Sequence, residues 1–98
     1  MREEKRFYVY ILASQHYGTL YIGMTSNLIK RMWEHQNGVV DGFSKKYSVK
    51  NLVYYEVHDT FETAMTREKQ MKAWKRQWKI NLIENQNPRW DDLSQNLM

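Results

Sequence analysis

Phe7-Tyr-Val-Tyr-Ile-Leu-Ala13 and Thr19-Leu-Tyr-Ile-Gly-Met24, separated by the polar run from Ser14 to Gly18, decide how this chain folds. Both stretches are dense in aromatic and β-branched residues, so each reads as a strand. The connection between them is too short for anything but a turn, which makes the pair an antiparallel hairpin. Its chemistry sits on Tyr10 of the first strand and on Tyr21-Ile22-Gly23 of the second.

Downstream of the hairpin, Thr25, Ser26 and Asn27 are all good helix N-caps, and Leu28 to Gln36 follows as a helix closed by Asn37-Gly38. Gly38 to Lys50 reads as a loop carrying Lys45, Lys46 and Lys50, and Leu52-Val-Tyr-Tyr-Glu-Val57 as a third strand. His58-Asp59-Thr60 leads into a helix through the sixties and seventies. A further helical segment from about Lys79 to Asn85 ends before Asn87-Pro88, because proline disfavours helix in the residue before it. The expected fold is α/β, a small sandwich with a three-stranded, antiparallel-type sheet flanked by helices in the order β-β-α-β-α-α. One domain over residues 6–93 is expected, with a short charged N-terminus at 1–5 and a polar tail at 94–98.

The chain of 98 residues is 42% hydrophobic and 14% aromatic, enough for one core. One proline, four glycines and no low-complexity run argue against long disorder. The formal charge of +4 favours an anionic partner. With no cysteine, disulfides, thiolate zinc sites and a cysteine nucleophile are excluded. Met1-Arg-Glu-Glu-Lys-Arg6 is too charged for a signal peptide. Nothing approaches the roughly 18 apolar residues of a membrane span, so a cytoplasmic location and no membrane partner are expected.

Two phenols, a strand-ending glycine and a guanidinium lie within one hairpin–helix unit, with His35 a helical turn after Arg31. This grouping suits binding of a phosphodiester and attack on it. At helical spacing Leu28, Met32 and His35 share a face with Arg31 at its edge. A planar fork of donors there matches a phosphate and the extra charge of a pentavalent transition state. The plainer reading makes Arg31 and Lys30 solvated helix residues and His35 a half-buried histidine bonded to a carbonyl. Glu68 is the only acid among six Lys/Arg between Thr63 and Ile83. A lone carboxylate in such a stretch is a natural seat for a divalent cation facing a polyanion.

These residues together resemble the GIY-YIG endonuclease domain, and in particular its small stand-alone bacterial members, described as excinuclease-subunit-like. Tyr8-Val9-Tyr10 stands where the family has Gly-Ile-Tyr, and Tyr21-Ile22-Gly23 is the second half of the signature. Met24-Thr25 continues it, Asn27-Leu-Ile-Lys-Arg31-Met-Trp-Glu-His35 matches its Arg-x-x-x-His helix, and Thr66-Arg-Glu68-Lys-Gln-Met-Lys72 its acidic segment. Tyr8 replaces the first glycine of the signature, a position the resemblance makes structural rather than chemical.

The resemblance implies a metal-dependent endonuclease acting on nucleic acid, with DNA favoured over RNA and RNA left open, in DNA repair or recombination, and leaving 5′-phosphate and 3′-hydroxyl ends. Tyr21 would orient or deprotonate the attacking water with Tyr10 beside it. Arg31 would hold the scissile phosphate, and His35 would move a proton or bind the phosphate. Glu68 would ligate a single Mg²⁺ or Mn²⁺. Gly23 and Thr25 would support the site, and Asn87, or else Asn81, would be the late polar residue near the metal. An alternative is a catalytically weak nucleic-acid-binding or adaptor module on the same fold, and a partner protein or a homodimer could supply targeting.

Lys30, Lys69, Lys72, Lys75 and Arg76, with Lys79, are candidates to grip backbone phosphates. Ala64, Met71, Trp74 and Trp78 fall on one helical stripe, with Glu68 at its edge. Both tryptophans are therefore expected in the core, with lysines rather than tryptophans touching nucleic acid.

Overall fold

The computed structural model describes residues 5–39 and 42–97; most of the charged N-terminus, two residues of the expected loop and the last residue of the tail lie outside them. The elements run β1 (Phe7–Ala13), β2 (Leu20–Thr25), α1 (Leu28–Gln36), α2 (Gly42–Tyr47), β3 (Asn51–His58), α3 (Phe61–Ala73) and α4 (Arg76–Gln86), and a 3-10 turn follows at Leu93–Asn96. The three strands form one antiparallel sheet in the order β2-β1-β3.

Period-two alternation in β1 divides the core. Val9, Ile11 and Ala13 face α3 and α4, where they pack with Ile22, Met71 and Ile83. Tyr10 and Leu12 face α1, where they pack with Leu28, Met32 and Leu52. The central strand is thus buried on both faces. A bulge in the β1–β3 register opposite Ile11 and Leu12 turns both Val53 and Tyr54 toward the α3 side.

Asn27 caps α1 by accepting from the Lys30 backbone N–H at 3.1 Å. Gly38 ends the helix with φ +70°, a conformation glycine adopts without Cβ strain. Three differences from the sequence reading matter. The Gly38–Lys50 stretch is not all loop, since it contains α2. The long helix expected through the seventies breaks at Trp74 and Lys75, whose ψ values of 152° and 148° are extended. The tail is not wholly free: Ser94 accepts from Gln36 at 3.1 Å, and Leu97 packs in the α1-side core.

Candidate active site

The hairpin register sets Tyr10 opposite Gly23 and Leu12 opposite Tyr21, so the two tyrosines are diagonal neighbours on one face. Their ring centroids are 6.4 Å apart. Gly23 makes this possible, because a Cβ there would fall against Tyr10 Oη and 2.5 Å from its Cζ. The phenol lies over the bare backbone of β2.

From α1, His35 closes over both tyrosines. Its Nε2 lies 3.1 Å from Tyr10 Oη, a hydrogen bond whose donor depends on the imidazole tautomer. Its ring sits 5.8 Å from the Tyr10 ring and 5.3 Å from the Tyr21 ring, edge-on to each. Tyr10 is 0% and His35 2% exposed, so the histidine is fully buried rather than half-buried as the plainer reading had it. Tyr21 is only partly buried and lines an open cleft.

That cleft, of about 330 Å³, runs along the edge of β2. Leu20, Tyr21 and Ile22 form one wall, and Lys72 of α3 with Lys79 of α4 form the other. Lys72 Nζ is 3.6 Å from Glu68 Oε2, and the Glu68 side chain is 19% exposed. The ion pair therefore links Glu68 to the cleft that Tyr21 lines. Arg31 is half exposed on α1, where its Nε pairs with Glu34 Oε1 at 3.2 Å. Thr25 accepts from the Asn27 backbone N–H at 3.1 Å and so fixes the entry into α1.

Among the described residues, no three His, Cys, Asp or Glu side chains converge as a closed metal cage. A hard divalent cation that keeps its waters and takes one protein carboxylate plus substrate oxygens needs no such cage. Glu68 fits that demand: it is a mostly buried carboxylate whose neighbouring charge, Lys72, is a side chain 55% exposed.

Several expected site residues have other duties. Asn87 is 5% exposed and donates to Val53 O at 3.0 Å and Asp91 O at 2.9 Å. Its Oδ1 accepts from the Asp91 N–H at 3.0 Å, so its amide clasps the end of α4 to β3 rather than reaching a metal. Arg76 donates from one guanidinium nitrogen to both Tyr17 O and Gly18 O at 2.7 Å, which makes it a clamp on the hairpin turn rather than a free phosphate grip. Trp78 is 54% exposed, against the expectation of a core residue, while Trp74 is half-buried. Lys30, Lys69, Lys72 and Lys75 are exposed, as phosphate contacts would need to be.

A further polar cluster escaped the sequence reading. On β3, Glu56 accepts from Tyr54 Oη at 2.5 Å and from Arg67 Nε at 3.0 and 3.2 Å, and His58 Nε2 lies 2.6 Å away. Burial alone would raise the Glu56 pKa, but the hydrogen bonds of Tyr54, His58 and Arg67 and the Arg67 charge outweigh it and hold it below the ordinary 4.5. Burial and the bond to Glu56 push the Tyr54 phenol up to about 12. The period-two spacing of Tyr54, Glu56 and His58 was the available signal, but it needed the partner Arg67 from α3 to mean anything.

The chain belongs to the GIY-YIG catalytic domain family, whose model matches residues 6–81. It is similar to the UPF0213 protein of Syntrophus aciditrophicus, 39% identical over 82 residues, which cover 83% of this chain and 92% of that one. A UPF0213 protein of Staphylococcus saprophyticus is 36% identical over 78 residues, covering 80% of this chain and 94% of the relative. The solution NMR structure of a UPF0213 protein from Bacillus halodurans shares the fold, with a TM-score of 0.58 at 24% identity over 95% of this chain and 98% of that one. Among the described residues no helix is long and apolar enough to cross a membrane.

Proposed function

We propose that the chain is a metal-dependent endonuclease that hydrolyses phosphodiester bonds of DNA, acting on damaged, branched or unpaired substrates in repair or recombination. The observation that carries this is the position of Tyr21, at the wall of a cleft opposite Lys72 and Lys79 and backed by the buried Tyr10–His35 pair.

In this reading the scissile phosphate enters the cleft along the β2 edge, where Lys72 and Lys79 attract it. Tyr21 Oη orients the attacking water. A free phenol with pKa about 10 is a weak base at neutral pH, so the two ammonium groups assist by favouring phenolate character as the proton leaves water. The water oxygen gives its proton to the Tyr21 phenolate and bonds to phosphorus, the P–O3′ bond breaks, and O3′ takes up a proton from solvent, so that 5′-phosphate and 3′-hydroxyl ends result. Arg31 exchanges its Glu34 partner for a phosphate oxygen and offsets transition-state charge.

Glu68 is the residue to hold Mg²⁺ or Mn²⁺, and the ion would supply Lewis-acid stabilisation of the leaving oxygen. Tyr10 and His35 do not touch substrate here; they hold Tyr21 in place and give its ring a fixed edge to lean on. Gly23 acts by admitting the Tyr10 ring.

The test is cleavage of labelled single-stranded, nicked, flap and junction DNAs with Mg²⁺ or Mn²⁺, comparing wild type with Glu68→Ala and Arg31→Ala. Cutting that both substitutions abolish, with circular dichroism unchanged, is the expected result. Binding without cutting by wild type would replace the nuclease with a binding module on the same fold.

A further inference from the structure

Trp78 is the feature that the nuclease reading leaves unused. Had α3 run on without interruption, Trp74 and Trp78 would both continue the Met71 stripe into the core. The extended backbone at Trp74 and Lys75 instead redirects the chain, and α4 starts without a side-chain cap. Trp74 stays against the core, whereas Trp78 turns outward with 54% of its surface exposed. Their rings meet edge-on with centroids 6.2 Å apart.

The two indoles open a groove of about 460 Å³, completed by Asn81, Leu82 and Asn85. Asn81 Oδ1 accepts from Gln77 at 2.9 Å, which leaves its Nδ2 to donate. The groove is therefore a π-face with amides at its border. Arg67, whose charge Glu56 already matches, lies over Trp74 at 4.9 Å, and the cation beside the groove is Lys75 at the α3–α4 corner. Lys79, the residue after Trp78, lines the Tyr21 cleft. The groove and the cleft are thus one residue apart along α4.

We infer that this groove stacks an unpaired base of a single-stranded DNA segment whose backbone crosses the neighbouring Tyr21 cleft. The polymer's identity rests on the nuclease reading, and its single-stranded form rests on Trp78. A base inside a duplex has both faces covered by its neighbours and offers only its edges. An exposed indole needs a free base face, and such stacking works for any base. The bordering amides suit the edge of a base, and the lysines suit its phosphates, so positive charge and π-surface match a single strand. An apolar peptide or a lipid would use the indole but not the cations and amides beside it.

The experiment is fluorescence anisotropy of labelled oligothymidine, a labelled duplex and labelled oligouridine, in EDTA so that nothing is cut. Wild type is compared with Trp78→Ala and Trp78→Phe, with folding checked by circular dichroism. Trp78→Ala should weaken oligothymidine binding roughly ten-fold, the scale of one lost base stack, with duplex binding nearly unchanged. Trp78→Phe should retain most of the affinity. Wild-type affinity in Trp78→Ala, or an equal loss on duplex, would overturn the inference. Oligouridine bound as tightly as oligothymidine, with the same dependence on Trp78, would overturn the assignment to DNA. Trp78-dependent binding by a protein that cuts nothing with Mg²⁺ or Mn²⁺ would uphold this inference and sink the nuclease reading. Cutting without Trp78 dependence would do the reverse.

Discussion

Tyr10 Oη and His35 Nε2 are 3.1 Å apart with both side chains sealed from solvent, so in the proposed nuclease the signature tyrosine of β1 would act through the core rather than by contact with the substrate. Tyr10→Phe keeps the ring but removes the bond. It should cost about 1 to 2 kcal/mol in urea unfolding, the range for one buried hydrogen bond. Cleavage should slow while DNA affinity stays close to wild type, because the Lys72 and Lys79 wall is untouched. A loss of affinity equal to the loss of rate would place Tyr10 at the substrate instead.

Gly23→Ala tests the same unit from the other strand. The new Cβ meets Tyr10 Oη and Cζ, which belong to a ring already packed among Leu12, Leu28 and Met32 and unable to retreat. Overpacking of this kind costs about 1 to 3 kcal/mol. The variant should lose stability and cleavage together. Gly42→Ala is the control: a Cβ there meets nothing within 4 Å, and alanine favours helix, so stability should hold or rise slightly. Similar thermal midpoints for the two variants would mean the Tyr10 ring can move aside.

Glu56 gives the fold an acid sensitivity with a definite sign. Its folded pKa lies below the ordinary 4.5, so its stabilising contribution is complete above about that value and is lost as pH falls through the lower, folded value. Glu56→Gln removes the charge that Arg67, Tyr54 and His58 surround. At neutral pH it should destabilise by about 1.5 to 3 kcal/mol, the range for hydrogen bonds to a charged group. The gap between wild type and variant should narrow as pH drops below 4.5. Urea titrations at neutral and acid pH read this directly; a gap that widens in acid would contradict the sign.

The hairpin, α1 and the last strand were legible because each shows its period and its punctuation within a few residues: aromatic alternation, the Asn27 cap, the Asn37-Gly38 stop. Convergence of Tyr10, Tyr21 and His35 followed from that local geometry alone. α2 was not legible, since Gly42–Tyr47 is too short to display a helical period. Neither was the break at Trp74 and Lys75, where no proline or glycine marks the turn and the rest of the fold decides it. Everything that depends on the break was misread with it, above all the exposure of Trp78 and the engagement of Arg76 with the hairpin turn. Asn87 was read as the late polar residue near the metal; the bonds it makes instead clasp Val53 and Asp91, through a contact 34 positions away in sequence.

The cationic residues separate into two groups that salt dependence can tell apart. Lys72 and Lys79 line the cleft and should meet phosphates, whereas Arg76 is spent on Tyr17 O and Gly18 O. Log affinity for a single strand should fall linearly with log salt, and each phosphate contact removed should flatten the slope by roughly 0.7. Lys72→Ala and Lys79→Ala should each do so. Lys72→Ala should scarcely change stability, because its i,i+4 pair with Glu68 on a helix surface contributes only about 0.3 to 0.5 kcal/mol. Arg76→Ala should show the opposite pattern, with the slope unchanged and the melting temperature lowered as the hairpin turn loses its clamp. An Arg76 variant that flattens the slope at constant stability would return that residue to the DNA surface, and a slope indifferent to Lys72 and Lys79 would move the strand off the β2 edge.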